Sequence, residues 1–233
     1  MGIAFRSNLE MIVEKIKKEQ FINFTHKLEL VEGCPIAIIG KNGYGKTTFL
    51  RLLSGNLIPD SGIMNINDKQ YCFPINSFNR PKYQKQLRKK ILYIENQNYL
   101  YPNFTVLQNV NYIMSIDDFD KDVFINVLNK LNFDKKYFGM RVKELSFGTK
   151  QKISLALMFS TFKSIVMLDE PTQGIDIETR KAFLDLLMSY KKLKCFLLST
   201  NDQTILNAFD LFLLCENDEV KVLYDNPYGK SRD

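Results

Sequence analysis

The stretch GKNGYGKTTFL, residues 40–50, combines three glycines with two lysines and two threonines and is the strongest chemical signal in the sequence. Gly40, Gly45, Lys46 and Thr47 match the spacing G-x-x-x-x-G-K-[ST], in which backbone N–H groups surround phosphate oxygens and the second lysine reaches the β and γ phosphates. The threonine hydroxyl is a ligand for Mg²⁺. The pattern therefore predicts a nucleoside triphosphate site. The residues expected to line it are Gly40, Lys41, Asn42, Gly43, Tyr44, Gly45, Lys46, Thr47 and Thr48.

An acidic pair offers the carboxylates that such a site needs. Asp169 and Glu170 follow the apolar run IVML, residues 165–168, where Pro171 stops a predicted strand. We expect Asp169 to share the Mg²⁺ shell with Thr47, and Glu170 to orient or deprotonate an attacking water. Two acids after an apolar run are common by chance, but together with the glycine-rich loop they indicate hydrolysis of the triphosphate.

Apolar runs that alternate with amphipathic stretches predict the elements around these motifs. Short runs rich in Ile, Val and Leu are typical of parallel strands buried on both faces. Five such runs lie at 35–40, 91–94, 164–171, 194–200 and 210–218. Apolar side chains with helical spacing predict helices at 46–55 and 179–192. Strands that alternate with helices indicate an α/β domain with a largely parallel sheet.

Two regions give a weaker signal. Residues 11–30 mix apolar and charged positions without a clean period, and we interpret them as irregular or strand-rich. Residues 106–133 look helical, with an interruption near SIDDFDKD. The surrounding block 105–150 has no strand signal, which makes it a candidate helical insertion.

Composition and charge exclude some classes of protein. The 233 residues are 45% hydrophobic and 25% charged, which is ordinary for a globular protein. The apolar runs fall short of the roughly 20 residues that a membrane-spanning helix needs. The first residues lack the apolar core of a secretory signal, so the expected compartment is the cytosol. His26 is the only histidine, which excludes a metal site built from several histidines.

A basic run stands out within the net charge of +6. The segment RPKYQKQLRKK, residues 80–90, contains several Lys and Arg and no acidic residue. A run of this kind can bind nucleic acid or anionic lipid, although a solvated face is the commoner explanation. The sequence alone leaves these alternatives open.

The segment LSFGTKQK, residues 145–152, resembles the signature L-S-G-G-Q of ABC-type ATPases. The phosphate loop, the D-E-P strand end and TQGID at 172–176 complete four motifs of that family in their usual order, and the resemblance covers about residues 20 to 220. It implies a P-loop NTPase of ABC type, with a RecA-like core, a mostly parallel sheet, an antiparallel β subdomain and a helical subdomain. The chain, 1–233, would form one such domain, with the helical subdomain at approximately 96–150.

The family also implies how the site is completed. ATP and Mg²⁺ are the expected cofactors. Two ATP-binding domains, identical or different, pair head to tail, so that each signature closes on the γ-phosphate held by the other, and Asp176 would lie at the seam. A serine before a helix is a good N-cap, and the N–H groups of that helix end favour an anion. The residues expected to act in trans are Ser146, Phe147, Gly148 and Gln151.

Three positions depart from the family pattern. Phe147 stands where the family has a small residue, so its ring must point away or the packing near the signature differs. Asn201, in the context STND, takes the place of the family's switch histidine. It cannot carry a positive charge, so we expect hydrolysis to be slower and ATP binding to be retained. The glutamine expected before Thr105 is either Asn96 or Gln97, and the longer side chain favours Gln97 as a metal ligand.

The sequence assigns no residue to the adenine base. The family usually stacks an aromatic side chain on it, and Phe5, Phe21 and Phe24 are available upstream of the phosphate loop. None of the three aligns with the family position, and core packing is the expected role of at least two.

The resemblance implies the ATPase subunit of a transporter, peripheral on the cytoplasmic face of a membrane and coupled to a separate transmembrane permease subunit, with no nucleic acid as a partner. Tyr99, Tyr101 and Phe104 either line a groove for a helix of that subunit or pack between lobes. Two alternatives stay open. One is a soluble ABC-type ATPase of a non-transport complex, such as iron–sulfur cluster assembly, and the other is a regulatory nucleotide-binding module with little turnover.

Overall fold

The computed structural model describes residues 9–19, 21–67, 69–95 and 99–228 of the chain. In chain order the strands are β1 (Leu9–Lys18), β2 (Ile22–Asn23), β3 (Lys27–Val31), β4 (Ile36–Ile39), β5 (Ser61–Ile66), β6 (Lys69–Phe73), β7 (Ile91–Ile94), β8 (Ile165–Asp169), β9 (Cys195–Ser199), β10 (Leu211–Glu216) and β11 (Glu219–Leu223). The α-helices are α1 (Lys46–Leu53), α2 (Arg80–Lys90), α3 (Val106–Ile116), α4 (Lys121–Lys130), α5 (Phe147–Ser160) and α6 (Ile177–Tyr190). Short 3₁₀ segments lie at Lys135–Gly139, Val142–Glu144 and Gln203–Ala208.

Parallel strands form the half of the sheet that carries the phosphate loop, in the order β10-β4-β9-β8-β7. Every residue of β4, β8 and β9 is buried, which is why these strands read as uninterrupted apolar runs. Alternate residues of β8 face different layers. Ile165 and Met167 belong to the apolar cluster that includes α1, whereas Val166 and Leu168 belong to the cluster that includes α5 and α6. The predicted α/β fold is confirmed.

The other half of the sheet is mainly antiparallel. Strand β1 pairs with β2, β3 and β5, and β5 pairs with β6. A β-bulge at Lys15, whose φ is 51°, shifts the inward face of β1, so that the buried Met11 and Val13 are followed by Ile16. This shift breaks the period of two. The bulge explains why the segment shows no clean alternation in sequence.

A two-residue strand joins the two halves. Strand β2 is antiparallel to β1, in register at Lys17 with Asn23 and Lys18 with Ile22, and it is parallel to β11 through the single pair Asn23 with Glu219. Strand β11 in turn forms an antiparallel hairpin with β10. The sheet is therefore mixed, and the seam between its halves lies at β2.

Helices α3 and α4 account for the predicted helical stretch. Helix α3 ends at Ile116 and α4 begins at Lys121, so the interruption lies where the sequence predicts it. Thr105 and Gln108 form a capping box at the start of α3, and Asp120 caps α4 by accepting hydrogen bonds from two backbone N–H groups. In the described part of the chain, no helix has both the length and the apolar character to cross a bilayer.

Helix α2 is not predicted from its sequence because it offers too few apolar positions. Its buried residues are Tyr83 and Leu87, four apart on one face. The Tyr83 ring packs on Tyr71 and Phe73 of β6, with centroids 5.2 and 5.3 Å away. Tertiary packing on the antiparallel half therefore stabilises a helix that has little amphipathic signal of its own.

Candidate functional site

The loop between β4 and α1 requires glycine at both ends. Gly40 has a φ of 140°, and a Cβ there would lie 2.3 Å from the backbone oxygen of Cys215. Gly45, the N-cap of α1, has a φ of 88°, and a Cβ there would lie 2.8 Å from Ile22 Cδ1. Any side chain would therefore meet a neighbouring strand. Glycine allows the loop to lie close to the sheet, with the start of α1 at the cavity above it.

Lys46 is held beside this loop by three oxygen atoms. Its Nζ donates to the backbone oxygen of Gly40 at 2.8 Å, and it lies 3.3 Å from Asn201 Oδ1 and 3.5 Å from Glu170 Oε1. The residue is only 6% exposed, so salt screens its charge much less than that of a surface lysine. The fold thus places a fixed cation next to the predicted catalytic carboxylate.

Thr47 and Asp169 are in direct contact. Thr47 Oγ1 donates to Asp169 Oδ2 at 2.5 Å, and the other carboxylate oxygen accepts a short hydrogen bond from Ser199 Oγ. A hydroxyl and a carboxylate are hard oxygen ligands of the kind that Mg²⁺ binds, so the residues present fit the ion. Asn96 and Gln97 lie outside the described residues, and the choice between them stays a prediction.

Glu170 has a left-handed backbone conformation, with a φ of 49°, which is uncommon for a residue other than glycine. Its N–H donates to the backbone oxygen and to the hydroxyl of Ser199, at 3.1 and 3.0 Å. Its carboxylate accepts a hydrogen bond from the N–H of Asn201 at 3.3 Å. Strand β9 therefore holds Glu170 in a strained conformation, and strain of this kind tends to cluster at active sites.

Asn201 links Glu170 and Lys46 to the loop. Its Nδ2 donates to Asn42 Oδ1 at 2.7 Å, while its Oδ1 accepts a hydrogen bond from Lys46 Nζ. The amide therefore uses its donor and its acceptor at the same time, which an alanine at this position could not do. The structure brings the predicted switch position into the same group as the predicted base.

A cavity of about 560 Å³ lies over the phosphate loop. Among the described residues that line it, none belongs to the signature. The predicted residues that line it are Asn42, Gly43, Gly45, Lys46, Thr47, Thr48, Asp169 and Glu170. Three further residues also line it, namely Gln173 of the TQGID segment and, outside the sequence motifs, Phe21 and Asp218.

The remaining predicted loop residues have other surroundings. Gly40 and Lys41 line a second cavity of about 290 Å³, which Asn42 and Asn201 also border. Tyr44 is half-buried and packs against the apolar cluster that includes α1. The motif is therefore divided between residues that face the larger cavity and residues that shape the loop behind it.

Phe21 is the aromatic side chain at the larger cavity. It lies in the turn between β1 and β2, is 52% exposed, and its backbone oxygen approaches Gly45. Phe24 is fully buried, with its ring centroid 5.5 Å from that of Phe49, and Phe5 lies outside the described residues. The signal that could have identified Phe21 is its position in the turn after the first strand, and the bulge in β1 hides that strand.

Ser146 caps α5 at the start of the signature. Its Oγ accepts a hydrogen bond from the N–H of Thr149 at 3.2 Å and lies 2.8 Å from the Thr149 hydroxyl. The serine is exposed. The N-terminal end of α5 therefore presents its N–H groups and its positive dipole end at the surface.

The ring of Phe147 packs against Gly174 in the TQGID turn. A Cβ on Gly174 would lie 2.4 Å from Phe147 Cδ1, and a Cβ on Gly148 would lie 2.5 Å from the backbone oxygen of Gly174. The ring is therefore placed against the TQGID turn, and the two alternatives for this departure stay predictions. The start of α5 and the TQGID turn are consequently in close contact.

Side-chain hydrogen bonds fix both ends of the segment between β8 and α6. Gln151 is buried, and its Nε2 donates to the backbone oxygen of Pro171 at 2.9 Å, so its side chain faces its own chain rather than a second copy. Asp176 caps α6. The hydrogen bond from the Thr179 N–H, at 2.7 Å, holds the pKa of the Asp176 carboxyl below its usual value, and Lys152 adds to this effect.

An ion pair anchors the chain just before residues 96–98. Arg51 of α1 donates two hydrogen bonds to Glu95, one of them from Nε at 2.8 Å, and the Tyr93 hydroxyl donates to the same carboxylate at 3.1 Å. The guanidinium of Arg51 lowers the pKa of Glu95. The helix that follows the phosphate loop is thereby tied to the segment where the third metal ligand is predicted.

The aromatic residues after this segment divide into two groups. Tyr99 is half-buried, and its hydroxyl lies 2.6 Å from Ser154 Oγ on α5, so it packs between elements. Tyr101 and Phe104 are exposed, and with Leu107 and Tyr112 they form a surface that we call the aromatic patch. The Tyr101 ring lies 5.3 Å from the rings of both Phe104 and Tyr112.

Comparisons with known proteins agree on one family. The profile of the ABC transporter family matches residues 25–173. The lipoprotein-releasing system ATP-binding protein LolD of Buchnera aphidicola is 29% identical over 201 residues, which is 82% of this chain and 85% of LolD. The ABC transporter ATP-binding protein YtrB of Bacillus subtilis is 32% identical over 164 residues, 69% of this chain and 51% of YtrB. The chain therefore spans most of one relative and about half of the other.

Solved structures share the fold. The dimeric, post-hydrolysis structure of the ATP-binding cassette MJ0796 bound to ADP and Pi superposes with a TM-score of 0.75 and 19% identity, over 94% of this chain and all of that one. The structure of cbiO1 from Clostridium perfringens, part of the transporter complex cbiONQ, has a TM-score of 0.68 and 22% identity, over 91% of this chain and 87% of that one. At these identities the likeness concerns the fold alone.

Proposed function

The chain belongs to the ABC transporter family of ATP-binding ATPases, and from that premise we propose that it closes head to tail with a second ATP-binding domain around two ATP and drives a separate transmembrane permease. The second domain is another copy of this chain or a related one. The working position of the chain is then peripheral, on the cytoplasmic face of a membrane. The observation that carries the proposal is the separation of two halves of one site within a single chain.

The phosphate loop and the signature do not share a cavity. Ser146 is exposed at the start of α5, and no described residue of the signature lines the cavity over Lys46. A γ-phosphate beside Lys46 would therefore receive no hydrogen bond from α5 of the same chain. A second chain in head-to-tail arrangement supplies those donors, and the dimeric relative that holds ADP and Pi is consistent with this arrangement.

Each side chain of the site has a distinct task. Lys46 supplies positive charge to the β and γ phosphate oxygens, and Glu170 orients the attacking water and accepts its proton. Asn201 fixes the spacing between these two because it hydrogen-bonds to both. Thr47 and Asp169 would hold Mg²⁺, which would supply further positive charge for the phosphate groups.

Phe21 and Asp218, which also line the cavity, suit the nucleoside. Phe21 offers an aromatic face on which the base can stack. The carboxylate of Asp218 would repel phosphate but can accept hydrogen bonds from ribose hydroxyls. The backbone oxygen of Asp218 accepts a hydrogen bond from the Asn23 N–H at 2.6 Å, which fixes its turn next to β2. The cavity lining thus includes Lys46 for the phosphates, and Phe21 and Asp218 for the nucleoside.

The aromatic patch is the proposed contact with the permease. Tyr101 and Leu107 are about half exposed, at 47% and 50%, and clustered aromatic side chains are typical of the energetic centre of an interface. The patch lies on α3 and the turn before it, within the region of approximately 96–150 that we assign to the helical subdomain.

Size-exclusion chromatography of the Glu170→Gln variant tests the head-to-tail closure. The substitution removes the base and keeps the shape, so the variant should bind ATP without turnover and accumulate as a nucleotide-bound dimer. The matched control is the double variant Glu170→Gln, Ser146→Ala, which should bind ATP equally well and dimerise less. A Glu170→Gln protein that binds ATP and stays monomeric at all concentrations would contradict the proposal.

A further inference from the structure

The positive charge of the chain is concentrated in one segment. Seven of its 32 Lys and Arg, and none of its 26 Asp and Glu, lie at residues 69–94. The rest of the chain therefore carries 25 basic and 26 acidic residues and is close to neutral. The whole excess of +6 belongs to β6, α2 and the loop between them.

Intramolecular pairing does not account for this charge. Lys69, Arg80, Lys82, Lys85 and Arg88 are all exposed, and none of them forms an ion pair with an acidic residue in the described part of the chain. Basic residues in the last turn of α2 interact favourably with the helix dipole. That explanation does not extend to the lysines in β6 and in the first half of α2.

These lysines border a cleft between β6 and α2. The cleft has a volume of about 440 Å³ and is lined by Lys69, Lys82 and Lys85, with the half-buried Tyr71 and Ile75 also in its wall. No acidic residue lines it within the described part of the chain. A cleft that combines three cations with apolar side chains is complementary to a ligand that carries both phosphate and hydrocarbon.

An apolar ring projects beside the cleft. Phe78, in the loop before α2, is 76% exposed, and Lys82 Nζ lies 4.8 Å from the centre of its ring. A lysine next to an exposed aromatic residue is the pattern of side chains that sit at a membrane interface, where the ring enters the headgroup boundary and the cation stays with the phosphates.

The cleft is remote from the phosphate loop. Helix α2 packs at the end of α1, because a Cβ on Gly55 would lie 2.5 Å from Leu87 Cδ1 and Gln84 Nε2 donates to the Gly55 oxygen at 3.0 Å. Lys46 is at the other end of α1, and the eight residues of this helix place it about 12 Å from the end that α2 contacts. A ligand in the cleft would therefore not compete with ATP.

We propose that this cleft and Phe78 bind the surface of an anionic membrane, with the lysines on lipid phosphate groups and the ring in the interface. The inference rests on the proposed function, because a subunit that works against a permease is already next to a bilayer. Single-stranded nucleic acid would use the same cations and could stack a base on the ring, but the apolar wall of the cleft favours lipid. Binding to a single-stranded oligonucleotide without binding to vesicles would overturn the proposal.

Vesicle flotation of the full chain tests this proposal. The chain should bind vesicles of phosphatidylcholine with phosphatidylglycerol, should not bind phosphatidylcholine alone, and should be released by salt. Each basic residue near an anionic surface strengthens binding about fivefold. The triple variant Lys69→Gln, Lys82→Gln, Lys85→Gln should therefore bind about 100-fold more weakly. The matched control changes three exposed lysines elsewhere, Lys121→Gln, Lys181→Gln and Lys192→Gln, and should bind like the unaltered chain.

A second variant separates lipid from other polyanions. Phe78→Ala should weaken binding to vesicles and leave binding to heparin unchanged, because heparin offers no interface for the ring. Equal losses in the two triple variants, or equal effects of Phe78→Ala on vesicles and heparin, would overturn the proposal. If the chain fails to bind vesicles while the Glu170→Gln variant still forms its dimer, only this inference is rejected. If the chain binds vesicles while the Glu170→Gln variant stays monomeric, only the proposed dimer is rejected.

Discussion

In the proposed dimer the phosphate loop and the signature serve one reaction, yet the molecule supports them in opposite ways. Around the loop, Lys46, Asp169 and Ser199 are buried and make hydrogen bonds across β4, β8 and β9. At the signature, Ser146 is exposed and its described hydrogen bonds stay within the first turn of α5. The sheet organises the first half in advance, whereas in the proposed dimer the second half offers donors to a ligand held by another chain. Loss of a buried loop residue such as Lys46 should therefore remove ATP binding. Loss of a signature residue should lower dimerisation and turnover and leave ATP binding by the monomer intact.

Lys46→Ala should have the largest effect. The substitution deletes a buried cation that faces three oxygens, and removing one partner of a buried charged contact costs about 2–5 kcal/mol of binding free energy. Titration with a fluorescent ATP analogue measures the loss. Lys41→Ala, in the same loop but exposed, is the matched control and should bind almost normally. Equal losses in both variants would show that the loop needs only its general positive charge.

Ser146→Ala should lower turnover without lowering ATP affinity, and so distinguish the roles of the signature and the phosphate loop. ATP affinity of the monomer should be unchanged, because no described signature residue lines the cavity, while turnover should fall about 10²–10³-fold through loss of a donor near the γ-phosphate. Asp120→Ala removes the N-cap of α4 in the same way and should lower stability by about 1 kcal/mol without that loss of turnover. If both cap variants lose turnover equally, Ser146 acts only as a cap.

Asn201→His should increase turnover. Unlike asparagine, a histidine can take up a proton and carry positive charge next to Glu170. A positioned acid or base contributes about 10²–10⁴-fold to a rate, so we expect turnover to rise about tenfold or more. ATP affinity should change little. Steady-state phosphate release measures the effect, and unchanged turnover would show that this position does not limit hydrolysis.

Asp176→Ala should have the smallest effect, about 1 kcal/mol of unfolding free energy, because it deletes the N-cap of α6. The pKa of Asp176 is lowered in the folded chain. The carboxylate therefore contributes stability above its unfolded pKa of about 3.9 and loses it as the pH falls through the lower, folded value.

Urea unfolding at several pH values checks this sign. The difference between the unaltered chain and Asp176→Ala should narrow below about pH 4. Asp176→Asn keeps a good cap without a charge, and its difference from Asp176→Ala should depend less on pH. A difference that widens in acid would contradict the assignment of Asp176 as a charged cap.

The parallel half of the sheet is predictable because burial on both faces leaves uninterrupted apolar runs, as in β4, β8 and β9. The antiparallel half is not, because the bulge at Lys15 moves the inward face between Val13 and Ile16. Helix α2 escapes prediction for a different reason, since its two buried residues draw their stability from β6 rather than from their own periodicity.

The same contrast holds within the candidate site. The place of Lys46, Thr47 and Asp169 in the site can be predicted from motif spacing, because these residues are close in sequence or end a buried strand. Phe21 and Asp218 reach the cavity from turns that are far apart in the chain, and only the pairing of β2 with β1 and β11 brings those turns together. Spacing carries no information about such contacts, whereas the sheet order does.

Strand β2 is also the narrowest backbone link in the sheet. Among the described residues, only the pair Asn23 with Glu219 joins it to β11, so few backbone hydrogen bonds connect the two halves there. Phe21 stands immediately before β2, and Lys46 follows β4 in the other half. A nucleotide that stacks on the ring and reaches the lysine would crosslink the two halves of the molecule. Its binding should therefore slow amide exchange throughout β1, β3 and β5, in strands that make no contact with the ligand.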